Sequence, residues 1–161
     1  MLGNLVALWT IRTFGRKSLL IAGHVGFAIC HFFVGYFNNI GFDEGVMWNV
    51  FAFLFIYQQT SGPLAWLYAT ETTIDVGLGI CLLTLYFDVF ILSLICPIFL
   101  DKDSSVGPSN VFFIFSGLSV IGTIFVIAFI RETKGLTDKD KKNIFTPKQF
   151  LNQKDEKNEN E

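Results

Sequence analysis

Residues 18–37 run for about twenty positions without a charge. As a helix they are long enough to cross the roughly 30 Å hydrocarbon core of a bilayer. Three further stretches repeat the pattern, at 46–68, 76–100 and 111–130, with polar punctuation at 38–45, 71–75 and 101–109. Residues 2–10 are apolar as well, but about nine residues give only some 13 Å of helix, less than half a bilayer. Lipid offers no partner to free backbone groups, so spans of this length fold as helices. The expectation is an all-α integral membrane protein with four complete spans and one partial span. Residues 1–137 form the membrane unit, and 138–161, rich in Lys, Asp, Glu and Asn, form a tail expected to be largely disordered.

Composition supports this reading. Of the 161 residues, 52% are hydrophobic and 16% charged, where a soluble domain carries about 25% charged residues. The net charge of −2 gives no reason to expect nucleic acid as a partner. Cys30, Cys81 and Cys96 lie far apart inside apolar blocks without CxxC spacing, so they read as small buried residues rather than a disulfide framework or a zinc site. Phosphate-binding glycine loops, HExxH and nucleophile elbows are absent from the sequence. No enzyme activity, metal or cofactor is expected.

Basic residues near span ends set orientation. Arg12, Arg16 and Lys17, then the 71–75 break, then Arg131, Lys134, Lys139, Lys141 and Lys142 fall on one side. The opposite loops hold no Lys or Arg at 38–45 and only Lys102 at 101–109. The first side, with the C-terminus, is expected to be cytoplasmic.

The second full span contains the one mixed surface. On a helix, Tyr57, Gln58, Ser61, Gly62, Ala65 and Trp66 form a stripe, while Leu64 points elsewhere. An amide, a hydroxyl, a gap and an indole on one face suit either a cavity or a helix–helix contact. Pro63 lacks an N–H and collides with the carbonyl of Gln59, so the helix is expected to bend or loosen there. Glu71 lies five residues beyond Trp66, about 7.5 Å along the axis, near the membrane surface.

Three motifs carry a resemblance. "RTFGRK" (12–17) is similar to the loop between the eighth and ninth helices of sugar transporters of the major facilitator superfamily. "GPLAWLYATE" (62–71) resembles the Gly-Pro-x-x-Trp-x-x-x-x-Glu of their tenth helix. "ETKGLT" (132–137) resembles the Pro-Glu-Thr-Lys-Gly-Leu that follows the twelfth. The chain looks like the C-terminal part of such a protein, from a partial eighth helix to the tail. The resemblance implies that Trp66 lines a sugar cavity with Gln58 and Ser61 on its stripe, and that Gly62 and Pro63 form the flexible point. It further implies that Arg12, Arg16, Glu71 and Glu132 form a charge network at the cytoplasmic face, which holds the inner side closed while the site opens outward. Departures are visible. Ile11 stands where the family loop usually has Asp, Arg131 where the last motif usually has Pro, and Asp75 in a stretch that usually contains Arg.

Asp88 is the one charge inside a span, and Thr84 four residues earlier shares its face. It could accept sugar hydroxyls, carry a proton, or sit protonated against Thr84 or a neighbouring helix. His24 and His31, seven residues apart, also share a face, where packing is the favoured role.

The expected function is transmembrane transport of a hexose-like sugar by alternating access, as part of a longer carrier. The expected partners are the bilayer, the sugar, and either the missing N-terminal half or another membrane polypeptide. The 161-residue chain alone is expected to lack transport activity. The alternatives are a non-transporting membrane protein that serves as a helix-packing partner, and a proton-coupled carrier of another polar solute.

Overall fold

The computed structural model describes residues 10, 11, 13–101 and 106–146. Most of the short stretch at 2–10, Arg12, Lys102 and the tail from 147 lie outside the described residues. Six helices lie wholly within the described residues, after a helical stretch at 10–14 that is only partly described: α1 (Arg16–Asn39), α2 (Asp43–Gln59), α3 (Ser61–Thr72), α4 (Asp75–Phe99), α5 (Pro108–Phe129) and α6 (Asp138–Asn143). Among the described residues there is no strand. Helices α1, α4 and α5 are each long and apolar enough to cross a bilayer.

The span expected over 46–68 is two helices in series. Helices α2 and α3 have 17 and 12 residues and meet at Thr60, whose backbone (φ −123°, ψ −95°) belongs to neither. The cause is Pro63, which cannot donate to the Gln59 carbonyl and crowds it. The Thr60 hydroxyl donates instead to Ile56 O at 2.7 Å, and the Leu64 N–H to Thr60 O at 3.2 Å. Helix α5 starts with Pro at its first turn, where the missing N–H costs nothing. Asp75 sits in the first turn of α4, where the helix dipole favours a carboxylate.

Helices α1 and α5 pack antiparallel along their whole length. At one end Asn38 Nδ2 donates to Ser109 Oγ at 2.7 Å. Midway, Ser116 Oγ donates to Ala28 O at 2.8 Å. At the other end Lys17 Nζ donates to Ile127 O at 2.8 Å. Below the charged end a core forms from Ile11, Leu19, Leu20, Leu64 and Val126. Helix α2 joins α1 through Phe27 and Phe53, with ring centroids 5.2 Å apart. Helix α4 leans chiefly on α3, and none of its residues is buried.

At the start of the tail, residues 138–143 form a short helix that stays largely exposed. Thr137 Oγ1 accepts the Asp140 N–H at 3.3 Å and caps α6, and the helix docks against α3.

Candidate functional site

Tyr57, Ser61, Gly62, Ala65, Trp66 and Ala69 face Cys81 and Leu85 across a cleft of about 200 Å³ between α3 and α4. The stripe read from the sequence is therefore one wall of a real concavity, with Gln58 left exposed outside it. Trp66 is 43% exposed, whereas Leu64 on the opposite face is fully buried. Ser61 turns its hydroxyl towards α1, where a Cβ at Gly23 would lie 3.2 Å from it. Pockets that enclose a small molecule run to roughly 300–1,000 Å³, so this cleft is too small to enclose one by itself. Asp88 is three residues past Leu85 and seven past Cys81, and so continues the cleft wall along the same face of α4. The Thr84 hydroxyl donates back to Ile80 O at 3.0 Å rather than to Asp88, which is exposed.

At the end of the bundle where α1 begins, two carboxylates gather charge. Glu71 meets the Arg16 guanidinium at 2.9 Å and Lys141 Nζ at 3.2 Å. Its second oxygen accepts from the buried Thr133 hydroxyl at 2.9 Å. Burial raises the pKa of Glu71, but the bonds from Arg16, Thr133 and Lys141 outweigh it and hold the group below the usual carboxylate range. Glu132 plays a different part. Its carboxylate accepts the backbone N–H of Arg16 (2.8 Å), Lys17 (3.0 Å), Thr133 (3.1 Å) and Lys134 (3.0 Å). It thus caps α1 from the far end of the chain. Burial again raises its pKa, and these N–H bonds bring it below the usual range.

Gly15 makes that cap possible. Its φ is +86°, and a Cβ there would lie 2.7 Å from Glu132 Oε2. The structure brings Arg16, Glu71 and Glu132 together with Thr133 and Lys141, while Arg12 lies outside the described residues. The cluster ties the ends of α1, α3, α5 and α6 to one another.

The departures have structural counterparts. Ile11 is buried in the core under the cluster, where an Asp would be out of place. The Arg131 N–H, which a Pro would lack, donates to Tyr68 Oη at 3.2 Å. Its guanidinium bonds Ile144 O at 2.8 Å and lies 5.7 Å from the centre of the Phe145 ring. His24 stands against Gly122, and His31 among Phe53, Phe112 and Phe115. Both pack at the α1–α5 seam.

A family model described as "Sugar (and other) transporter" matches residues 1–145. The major myo-inositol transporter IolT of Bacillus subtilis (strain 168) is 29% identical over 146 residues, covering 85% of this chain and 30% of IolT. The chloroplastic D-xylose-proton symporter-like 3 of Arabidopsis thaliana is 28% identical over 138 residues, covering 82% of this chain and 24% of that protein. A crystal structure of a double-tryptophan mutant of XylE superposes with a TM-score of 0.83 at 21% identity, covering 89% of this chain and 32% of that one. The superposition shows a shared fold. The chain spans a quarter to a third of the length of these relatives.

Proposed function

We infer that this chain, which belongs to the sugar (and other) transporter family, supplies one wall of the sugar site and the inner clasp of an alternating-access carrier. The observation that carries this reading is the cleft at the α2–α3 joint. It sets an exposed indole beside a broken helix, with Asp88 further along the facing wall. An indole face stacks on the C–H face of a pyranose, and Asp88 accepts from its hydroxyls. A half-helix that ends at a joint can tilt without breaking its own hydrogen bonds. The remaining walls come from the rest of the carrier, and the largely exposed apolar surface of α4 is the face it covers. The 161 residues by themselves, with one wall of the site, do not transport.

Trp66→Ala in the complete carrier should weaken sugar binding several-fold, the value of about 1 kcal/mol for one stacked aromatic contact. Folding should be unaffected, because Trp66 is outside the core. Leu64→Ala should do the reverse. It should lower thermal stability by on the order of 2 kcal/mol and spare affinity per folded molecule. Equilibrium sugar binding, normalised to monodisperse protein, tests both. If Leu64→Ala loses affinity and Trp66→Ala does not, the stripe packs against a helix and the non-transporting reading takes over.

The orientation rests on the basic residues gathered beside Glu71 and Glu132. That end is cytoplasmic and the α1–α2 turn is external. Single cysteines at Asn39 and Lys142, both exposed, placed in a carrier without Cys30, Cys81 and Cys96, should label differently on intact cells. An impermeant maleimide should reach only the one at Asn39. Labelling at Lys142 alone would invert the topology.

A further inference from the structure

We propose that Gly23 is the seat on which the α2–α3 joint turns, a positioning residue for transport that acts through Thr60. The joint is buried, with Thr60 only 7% exposed, and the surface it rests on is α1 at Gly23. A Cβ added there would lie 2.8 Å from Thr60 Cβ and closer still to Thr60 Oγ1. Real Cβ atoms do not approach so near, so Thr60 would have to move. It is not free to do so cheaply, because its hydroxyl bonds Ile56 O at 2.7 Å and its carbonyl accepts from Leu64 at 3.2 Å. Those two bonds close the end of α2 and the start of α3.

Neighbouring geometry sharpens the assignment. Gly26, one turn along α1, faces the methyl ends of Ile56 at 3.2 Å, and a flexible side chain can yield there. At Gly23 the contact is with the joint itself. Helix α3 runs from that point through Leu64, which is locked in the core, to Trp66 in the cleft and Glu71 in the clasp. Its inclination about Thr60 therefore sets where the indole stands against Cys81 and Leu85. Bare backbone at Gly23 lets the joint sit against α1 while α3 tilts, and a methyl group would wedge it into one inclination.

This inference rests on the carrier reading, and its test separates the two. In the complete carrier, sugar uptake is measured together with the distance between spin labels at Phe51 on α2 and Thr70 on α3, both exposed. Gly23→Ala should shift that distance and lower uptake about tenfold or more, as small misplacements of a working group do. Adding Thr60→Gly should bring back the distance and part of the uptake, because it removes the nearest atoms the new methyl meets and leaves only Ser61 Oγ, at 3.2 Å. Gly26→Ala should stay within about twofold of the parent. Loss of uptake that Thr60→Gly leaves uncorrected, or an unchanged distance in Gly23→Ala, overturns the assignment. If Gly23→Ala does not accumulate, Thr60→Gly alone decides, since it should broaden the distance distribution and alter uptake, and no change in either overturns the seat. A parent protein that takes up no sugar would sink the carrier reading, while the label distances would still test the seat.

Discussion

Gly15→Ala should destabilise the folded carrier by about 2–4 kcal/mol. Two costs add. The backbone at Gly15 (φ +86°, ψ 163°) lies in a region open essentially to glycine, worth about 1–3 kcal/mol to any other residue. The new Cβ would also stand 2.7 Å from Glu132 Oε2. That carboxylate must withdraw from the α1 N-terminus, and a lost cap costs about 0.5–2 kcal/mol. The measurement is thermal or denaturant unfolding of purified carrier, with Gly117→Ala as the control. Gly117 has open space around its Cβ position, so that variant should unfold like the parent. In a Glu132→Ala background, Gly15→Ala should cost less, because the cap it displaces is already gone. An equal cost in both backgrounds would mean that the strain is purely local.

The second large effect concerns Arg16 and Glu71. Arg16→Ala and Glu71→Ala should each shift the complete carrier towards inward-facing states, read by accessibility from the cytoplasmic side. Their effects should be non-additive by on the order of 1–2 kcal/mol, as expected of two groups in one network. Both side chains are largely buried, at 16% and 12% exposure, so solvent screens the pair less than it would a surface bridge. Strict additivity would reduce them to unrelated charges. Acid should act on the same contacts. The pKa values of Glu71 and Glu132 are held below the ordinary value of 4.5. Their stabilisation is therefore full above that value and is lost as pH falls below it through the depressed folded values. Neutral and mildly acidic pH should leave the clasp intact, and Glu71→Gln should flatten the loss at low pH.

Much of this was legible from residue order because membrane spans are a one-dimensional property. Uninterrupted apolar length located α1, α4 and α5, and Pro63 marked the joint to within a few residues. Helical periodicity put Trp66 and Leu64 on opposite faces, which the cleft and the core bear out. The motifs brought Arg16, Glu71 and Glu132 together. Periodicity could not reveal that Glu132 binds backbone N–H groups rather than a guanidinium, since the acceptor site is created by the end of another helix. Gly23 was silent for the same reason, because a missing side chain has meaning only once Thr60 is placed against it. The docking of α6 had a faint signal in Thr137 and Asp140, a capping pair, which the surrounding run of charge concealed. Gln58 was assigned to the stripe by spacing measured along one continuous helix, and the break at Thr60 changes the angles across it.

The cap on α1 also sets a clock for making the protein. Arg16 and Glu132 are 116 residues apart. At about 5–20 residues per second, a ribosome needs on the order of ten seconds to deliver the second after the first. Through that interval α1 has its leading N–H groups unclaimed by Glu132 and its seam with α5 open. Every premature stop before Glu132 leaves it in that state permanently. The carboxylate that caps α1 follows α5 in the chain, so the cap and the α1–α5 seam become available together.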